Sequence, residues 1–186
     1  PFTGRSNWKC VALVRPIIFQ VVGFQNSGKT TVILKIIEEL AKQGVRTVTL
    51  KHHGHGGKPS VISQKDSARH ISAGAAASLV EGGGRLLLQA EDYSMELDDQ
   101  IKILEPFQPD YILIEGHKQK NYPKLLILRE KADLSLLEIV KNIKVILYWD
   151  EEIKTILGKQ EGILLLPIHN KTSISKIADF LIKNRY

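Results

Sequence analysis

Gly23-Phe24-Gln25-Asn26-Ser27-Gly28-Lys29-Thr30, followed by Thr31, decides the reading of this 186-residue chain. Two glycines five positions apart, then Lys and Thr, match the phosphate-binding pattern G-x-x-x-x-G-K-[ST]. In such a loop backbone N–H groups wrap an anion, and the helix that follows adds partial positive charge at its N-terminus. The pattern needs a strand before it and a helix after it, and both are legible. Residues 17–22 are a short β-rich apolar run, as expected of a strand buried on both faces of a parallel sheet. After Lys29, the residues Ile33, Ile36, Ile37, Leu40 and Ala41 fall on one helical face, and Gly44 stands where a C-terminal cap belongs. The spacing therefore predicts that Gly23, Gln25, Asn26, Ser27, Gly28, Lys29, Thr30 and Thr31 surround a nucleotide. Lys29 reaches the β- and γ-phosphates, and Thr30 offers its hydroxyl to Mg²⁺. Phe24 and Gln25 leave no second lysine early in the loop, so a lysine donated across a dimer interface is not expected.

Beyond the loop, strands alternate with helical segments, the pattern of an α/β fold with a mostly parallel sheet. Strands are predicted at residues 45–50, 111–114, 125–128, 145–148 and 163–166. Helices are predicted from Ser60 to about Ser72, around Leu97, Ile101 and Leu104, at 134–140, at 151–157, and over Ile174 to Ile182. Apolar runs at 76–81 and 85–90 flank Gly82-Gly83-Gly84 and read as an inserted β-hairpin. The expected organisation is a leader or appended segment with its lead-in at 1–16, then one nucleotide-binding domain at 17–186.

Composition narrows the function. The chain has 26 Lys and Arg against 20 Asp and Glu, a net +6, which favours anionic ligands. The basic residues are scattered and no nucleic-acid motif accompanies them, so no nucleic-acid partner is expected. The lone Cys10 rules out an internal disulfide framework and a multi-cysteine metal site, which fits a cytoplasmic protein. No apolar run approaches the roughly 20 residues that span a bilayer, so no membrane partner is expected.

A second acidic element completes the phosphate site. Asp110-Tyr-Ile-Leu-Ile-Glu115-Gly116 puts Glu115 at the carboxyl end of a buried strand, the edge where open α/β sheets bind ligands. Glu115 is the candidate catalytic group, binding Mg²⁺ or orienting the attacking water, and the Gly116 N–H is a candidate γ-phosphate donor. Lys51, His52, His53 and His55 follow a strand at the same edge and read as an anion-contacting or switch-like loop, with an inert solvated loop and a metal tract as alternatives. Asp66 and Arg69 stand one helical turn apart, the spacing of a local ion pair. Asn170-Lys171-Thr172-Ser173 approaches the guanine pattern Asn-Lys-x-Asp but lacks its carboxylate. By position Asp150 is the better candidate for accepting from a base, and the residues alone do not separate guanine from adenine.

Taken together, the loop at 23–31, Lys51-His52, Asp66-Ser-Ala-Arg69 with Ala73-Gly74-Ala75, and the strand ending in Glu115-Gly116 resemble the molybdopterin-guanine dinucleotide biosynthesis protein B (MobB) family. Lys118, Pro123-Lys124 and Arg129 continue the resemblance, which spans roughly residues 17–129. Two departures are His117, where an aromatic such as Phe is expected, and Leu126, where a Glu is usual. The resemblance implies a P-loop GTP-binding protein with weak GTPase activity. It would assist the guanylyltransferase that attaches GMP to molybdopterin, and molybdopterin itself is a possible further ligand. It also implies a homodimer, for which the hairpin offers sheet edges. Under it, Asp66 becomes a candidate metal contact, and Lys51, His52, Arg69, Lys118 and Lys124 candidate partner or substrate contacts. A P-loop small-molecule kinase is the competing reading, but a kinase calls for a lid with phosphate-clamping arginines, and arginines here are sparse.

Overall fold

The computed structural model describes residues 15–52 and 66–184. The predicted strand and helix flank the loop as expected: β1 is Ile17–Val22 and α1 is Lys29–Lys42. Six parallel strands form one sheet in the order β2-β5-β1-β6-β7-β8, where β2 is Thr47–Lys51, β5 Tyr111–Glu115, β6 Lys124–Leu128, β7 Ile143–Tyr148 and β8 Leu164–Pro167. The remaining two strands, β3 (Ala77–Gly82) and β4 (Arg85–Ala90), pair antiparallel as the expected hairpin around a turn at Gly83-Gly84. Their boundaries follow the apolar runs closely.

The central strands are apolar on both faces because both faces are covered. On one face Phe19, Val21, Leu113, Leu125 and Leu147 pack against α1 and α6 (Ser173–Lys183). On the other, Val22, Leu126, Leu128 and Ile146 pack against Leu136 of α4 (Leu136–Ile139) and Ile153 of α5 (Glu151–Leu157). The segment read as one helix at 134–140 is a 3₁₀ turn, Lys131–Ser135, that passes into the single turn of α4.

Strand stagger makes the functional edge. Gln20 pairs with Ile114 of β5 on one side and with Lys124, the first residue of β6, on the other. Thus β6 begins about where β5 ends and runs on past β1 toward the phosphate loop. The connection at 116–123 carries no helix and crosses β1 on the face opposite α1. Gln20, a fully buried polar side chain in an apolar strand, meets it there: Nε2 donates to Gly116 O at 3.2 Å and to His117 O at 3.1 Å.

The described residues divide into two compact units, with breaks after His52 and after Gln100. The six-stranded sheet belongs to the first. The second contains α2 (Asp66–Ser72) and the hairpin, and α3 (Leu97–Leu104) straddles the second break. The helix expected from Ser60 is described only from Asp66, and residues 1–14 of the expected lead-in lie outside the described residues. Among the described residues no helix is long and apolar enough to cross a membrane.

Candidate functional site

The loop between β1 and α1 is bent by left-handed backbone at two positions, Asn26 (φ 59°) and Gly28 (φ 99°). Gly23 is required for another reason: a Cβ there would stand 2.6 Å from Ser27 Oγ and 3.0 Å from Ile127 O, closer than packed atoms approach. Gly23 and Ser27 are buried, Gly28 and Lys29 half-buried, and Gln25, Asn26, Thr30 and Thr31 exposed. Lys29 folds over the loop, donating to Gly23 O at 3.3 Å and Phe24 O at 2.6 Å. Ser27 N–H reaches the same Phe24 oxygen at 3.4 Å. An ammonium and a backbone N–H therefore converge on one acceptor, the position an anionic oxygen would compete for. Desolvation pulls the Lys29 pKa below that of an ordinary lysine; Glu115 opposes this, and the nearby Lys118 and Lys51 charges add to it.

Glu115 lies where the sequence placed it and meets the loop directly. Thr30 Oγ1 donates to the carboxylate, 3.1 Å from Oε1 and 3.0 Å from Oε2. Lys51, at the end of β2, donates to Thr30 Oγ1 at 3.2 Å and pairs with Glu115 Oε1 at 3.2 Å. A hydroxyl and a carboxylate so placed form the oxygen donor set that a hard divalent cation uses, and the loop beside them is an anion cradle. The buried Ser27 Oγ, with no hydrogen-bond partner in the protein, adds a polar group beside that cradle. These residues fit a triphosphate with Mg²⁺: the loop amides and Lys29 would hold phosphate oxygens, while Thr30 and Glu115 would face the metal.

The surrounding residues sort clearly. His52 stacks on His117, ring centroids 4.3 Å apart, and its N–H donates to Glu115 O at 3.1 Å, so it braces the carboxylate-bearing turn. His117, in place of the expected aromatic, adopts φ 54° and still provides a ring for that contact. Lys118 Nζ stands 5.0 Å over the Phe24 ring, beside the loop. Among the described residues no group of three or more His, Cys, Asp or Glu could hold a metal ion; His53 and His55 lie outside them.

The expectations for Gly116 and Lys124 need correction, and Asp150, Asp66 and Arg69 are placed as follows. The Gly116 N–H continues the sheet ladder to Val21 O at 3.1 Å, so it is engaged rather than offered to a phosphate. Lys124 is not a surface contact: it is fully buried, and Nζ donates to the carbonyls of Lys120 and, at 2.7 Å, Tyr122. Burial pushes its pKa down to about 8. Asp150 caps α5, Oδ1 accepting from Glu152 N at 2.9 Å, which occupies one oxygen of the candidate base acceptor. Asp66 and Arg69 lie on α2 in the second unit, while the loop and Glu115 lie in the first.

Sequence reasoning passed over two residues at this edge. Gln20 was legible as the one polar residue inside the run at 17–22. Trp149 directly follows β7, beside Asp150, and its Nε1 donates to Ser27 O at 3.0 Å. Arg129, noted only for its resemblance, donates Nη1 to Asn26 O at 2.9 Å.

A family model described as molybdopterin guanine dinucleotide synthesis protein B (MobB) matches residues 18–148. A Bacillus subtilis protein named "probable molybdopterin-guanine dinucleotide biosynthesis adapter protein" is 49% identical over 144 residues, covering 76% of this chain and 82% of the relative. The molybdopterin-guanine dinucleotide biosynthesis adapter protein of Haemophilus influenzae is 31% identical over 120 residues, covering 64% and 67%. The crystal structure of Bacillus subtilis MobB superposes with a TM-score of 0.73 at 38% identity, covering 88% of this chain and 96% of that one. The matched span runs from β1 to the end of β7 and so includes the phosphate loop, Lys51 and Glu115; the chain belongs to the molybdopterin guanine dinucleotide synthesis protein B (MobB) family.

Proposed function

We propose that this chain is a GTP-binding adapter in the assembly of molybdopterin guanine dinucleotide, holding GTP with Mg²⁺ and hydrolysing it slowly. The observation that carries this reading is the bond between Thr30 Oγ1 and Glu115, 3.0–3.1 Å long, made beside a loop whose Lys29 and Ser27 N–H converge on one point. Lys29 and the loop amides take the β- and γ-phosphates. Thr30 and Glu115 take Mg²⁺, and Glu115 orients the attacking water. The guanine dinucleotide and the adapter role are named in the family description and by the relatives, and GTP and a molybdopterin guanylyltransferase as partner are what the sequence resemblance implies. Molybdopterin is a further candidate ligand of the assembled pair.

The same reading makes the protein a cytoplasmic homodimer with a single nucleotide-binding domain at 17–186. Asp66, Arg69, Lys118 and the Lys51-His52 corner are candidates for metal or partner contacts. Support for self-association comes from the hairpin: among the described residues Leu79, Val80, Leu86, Leu87 and Leu88 are exposed, and each strand pairs with the other alone.

Titration with GTP and ATP in the presence of Mg²⁺, with Lys29→Ala as control and a turnover assay to follow, tests the core of the proposal. Preferred binding of GTP, loss of binding in Lys29→Ala, and turnover reduced at least about tenfold in Glu115→Gln are the expected results. Equal, Lys29-independent binding of both nucleotides would sink the proposal. Phosphate transfer to a small acceptor would promote a kinase in its place. Pull-down of the guanylyltransferase, with and without nucleotide, tests the adapter role, and no association under either condition would count against it.

A further inference from the structure

Two side chains outside the phosphate-binding motif grip the loop from behind. Arg129, just after β6, donates Nη1 to Asn26 O at 2.9 Å; Trp149, just after β7, donates Nε1 to Ser27 O at 3.0 Å. The two donors support each other, with the Arg129 guanidinium 5.3 Å from the centre of the Trp149 ring. Neighbouring strands thus each send one donor to consecutive carbonyls of the same loop.

A planar trans peptide places the C=O of one residue and the N–H of the next on opposite sides. Holding the Asn26 and Ser27 carbonyls outward therefore turns the N–H groups of Ser27 and Gly28 inward. The Ser27 N–H is observed to do this, pointing at the Phe24 oxygen that Lys29 Nζ also holds. Asn26 is left-handed, a conformation that L side chains adopt at a cost, and the Arg129 bond helps offset it. Trp149 also walls the loop: its ring lies 3.6 Å from where a Cβ on Gly28 would be.

We propose that Arg129 and Trp149 are positioning residues for phosphate binding, presetting the loop amides of Ser27 and Gly28 toward the anion without touching the nucleotide. The proposal rests on the triphosphate reading above and extends it: the pair sets affinity for the phosphate chain and is indifferent to the base.

Trp149→Phe keeps a ring and removes the donor; Arg129→Met keeps the aliphatic stem and removes the guanidinium. Calorimetric titration of each with GTP, ATP and inorganic tripolyphosphate, all with Mg²⁺, separates the possibilities. Each variant is expected to lose about three- to tenfold in affinity, by the same factor for all three ligands. In Trp8→Phe the one remaining indole N–H proton is that of Trp149, and it should exchange slowly with solvent and shift when tripolyphosphate is added. That measurement, with Arg129→Met, decides the matter even if Trp149→Phe does not fold. Undiminished affinity in folded variants overturns the clamp alone, as does a loss confined to GTP, which would place the pair against the base. Wild-type protein that binds none of the three ligands overturns both the clamp and the triphosphate reading.

Discussion

Lys51 Nζ lies 3.2 Å from Glu115 Oε1 while also donating to Thr30 Oγ1, so one ammonium bridges the two hydrogen-bonded oxygen groups proposed to face Mg²⁺. Metal and lysine then compete for the same donors. Lys51→Met should lower the Mg²⁺ concentration that half-saturates the nucleotide complex. The Lys51 side chain is 55% exposed, so solvent screening limits the effect to about two- to fivefold. A Mg²⁺ titration at saturating nucleotide reads it; a rise in the midpoint would instead make Lys51 a phosphate ligand.

Gly23→Ala should damage both fold and site, because its new methyl would meet Ser27 Oγ and the backbone oxygen of Ile127, which cannot swing aside. We expect about 1–3 kcal/mol of destabilisation and at least tenfold weaker triphosphate binding. Gly44→Ala is the matched control. Gly44 has φ 72° but open space around it, so the substitution should cost about 1–2 kcal/mol and leave binding unchanged. Chemical denaturation beside nucleotide titration compares the two.

Lys124 gives the protein a distinctive alkaline response. Its folded pKa of about 8 is below the 10.5 of an ordinary lysine, so the unfolded chain binds more protons between those values. The cost of burying the charge is therefore fully present below about pH 8 and is relieved as pH rises toward 10.5. Wild-type stability should climb relative to Lys124→Met by about 1.4 kcal/mol per pH unit within that window. Denaturation of both proteins at several pH values from 7 to 10 measures the difference; parallel curves would mean that Lys124 keeps an ordinary pKa.

The hairpin should control oligomeric state. Leu79 faces Leu88 across it, and Val80 faces Leu87, so apolar pairs are exposed on both faces. Charged residues there disfavour burial against a second copy. Leu79→Glu with Leu87→Glu should convert a dimer to monomers in light scattering after size-exclusion chromatography. Unchanged mass would remove the hairpin from the interface.

Local pattern sufficed for the elements whose signal is contained in neighbouring residues. The glycine loop, β1, α1, the hairpin and Glu115 at the end of β5 were all legible, because turn chemistry, helical spacing and apolar runs act over a few positions. The segment at 134–140 was less so, since its apolar residues fit a regular helix while Leu134 and Ser135 end a 3₁₀ turn and only Leu136–Ile139 are α-helical. Lys124 misled for a similar reason: a lysine reads as surface, and only the turn at 120–122 supplies the carbonyls that let it be buried.

By itself, then, the sequence determined that a phosphate loop joins a parallel strand to a helix, with a carboxylate at the same sheet edge. Tertiary structure alone decided what completes that edge. Residues far apart in the chain meet there because the order β2-β5-β1-β6-β7-β8 brings the strand ends together. It sets Lys51 beside Glu115, and it brings Arg129 and Trp149 onto carbonyls of a loop more than a hundred residues earlier. Such contacts depend on strand order and stagger, which no local run of residues encodes.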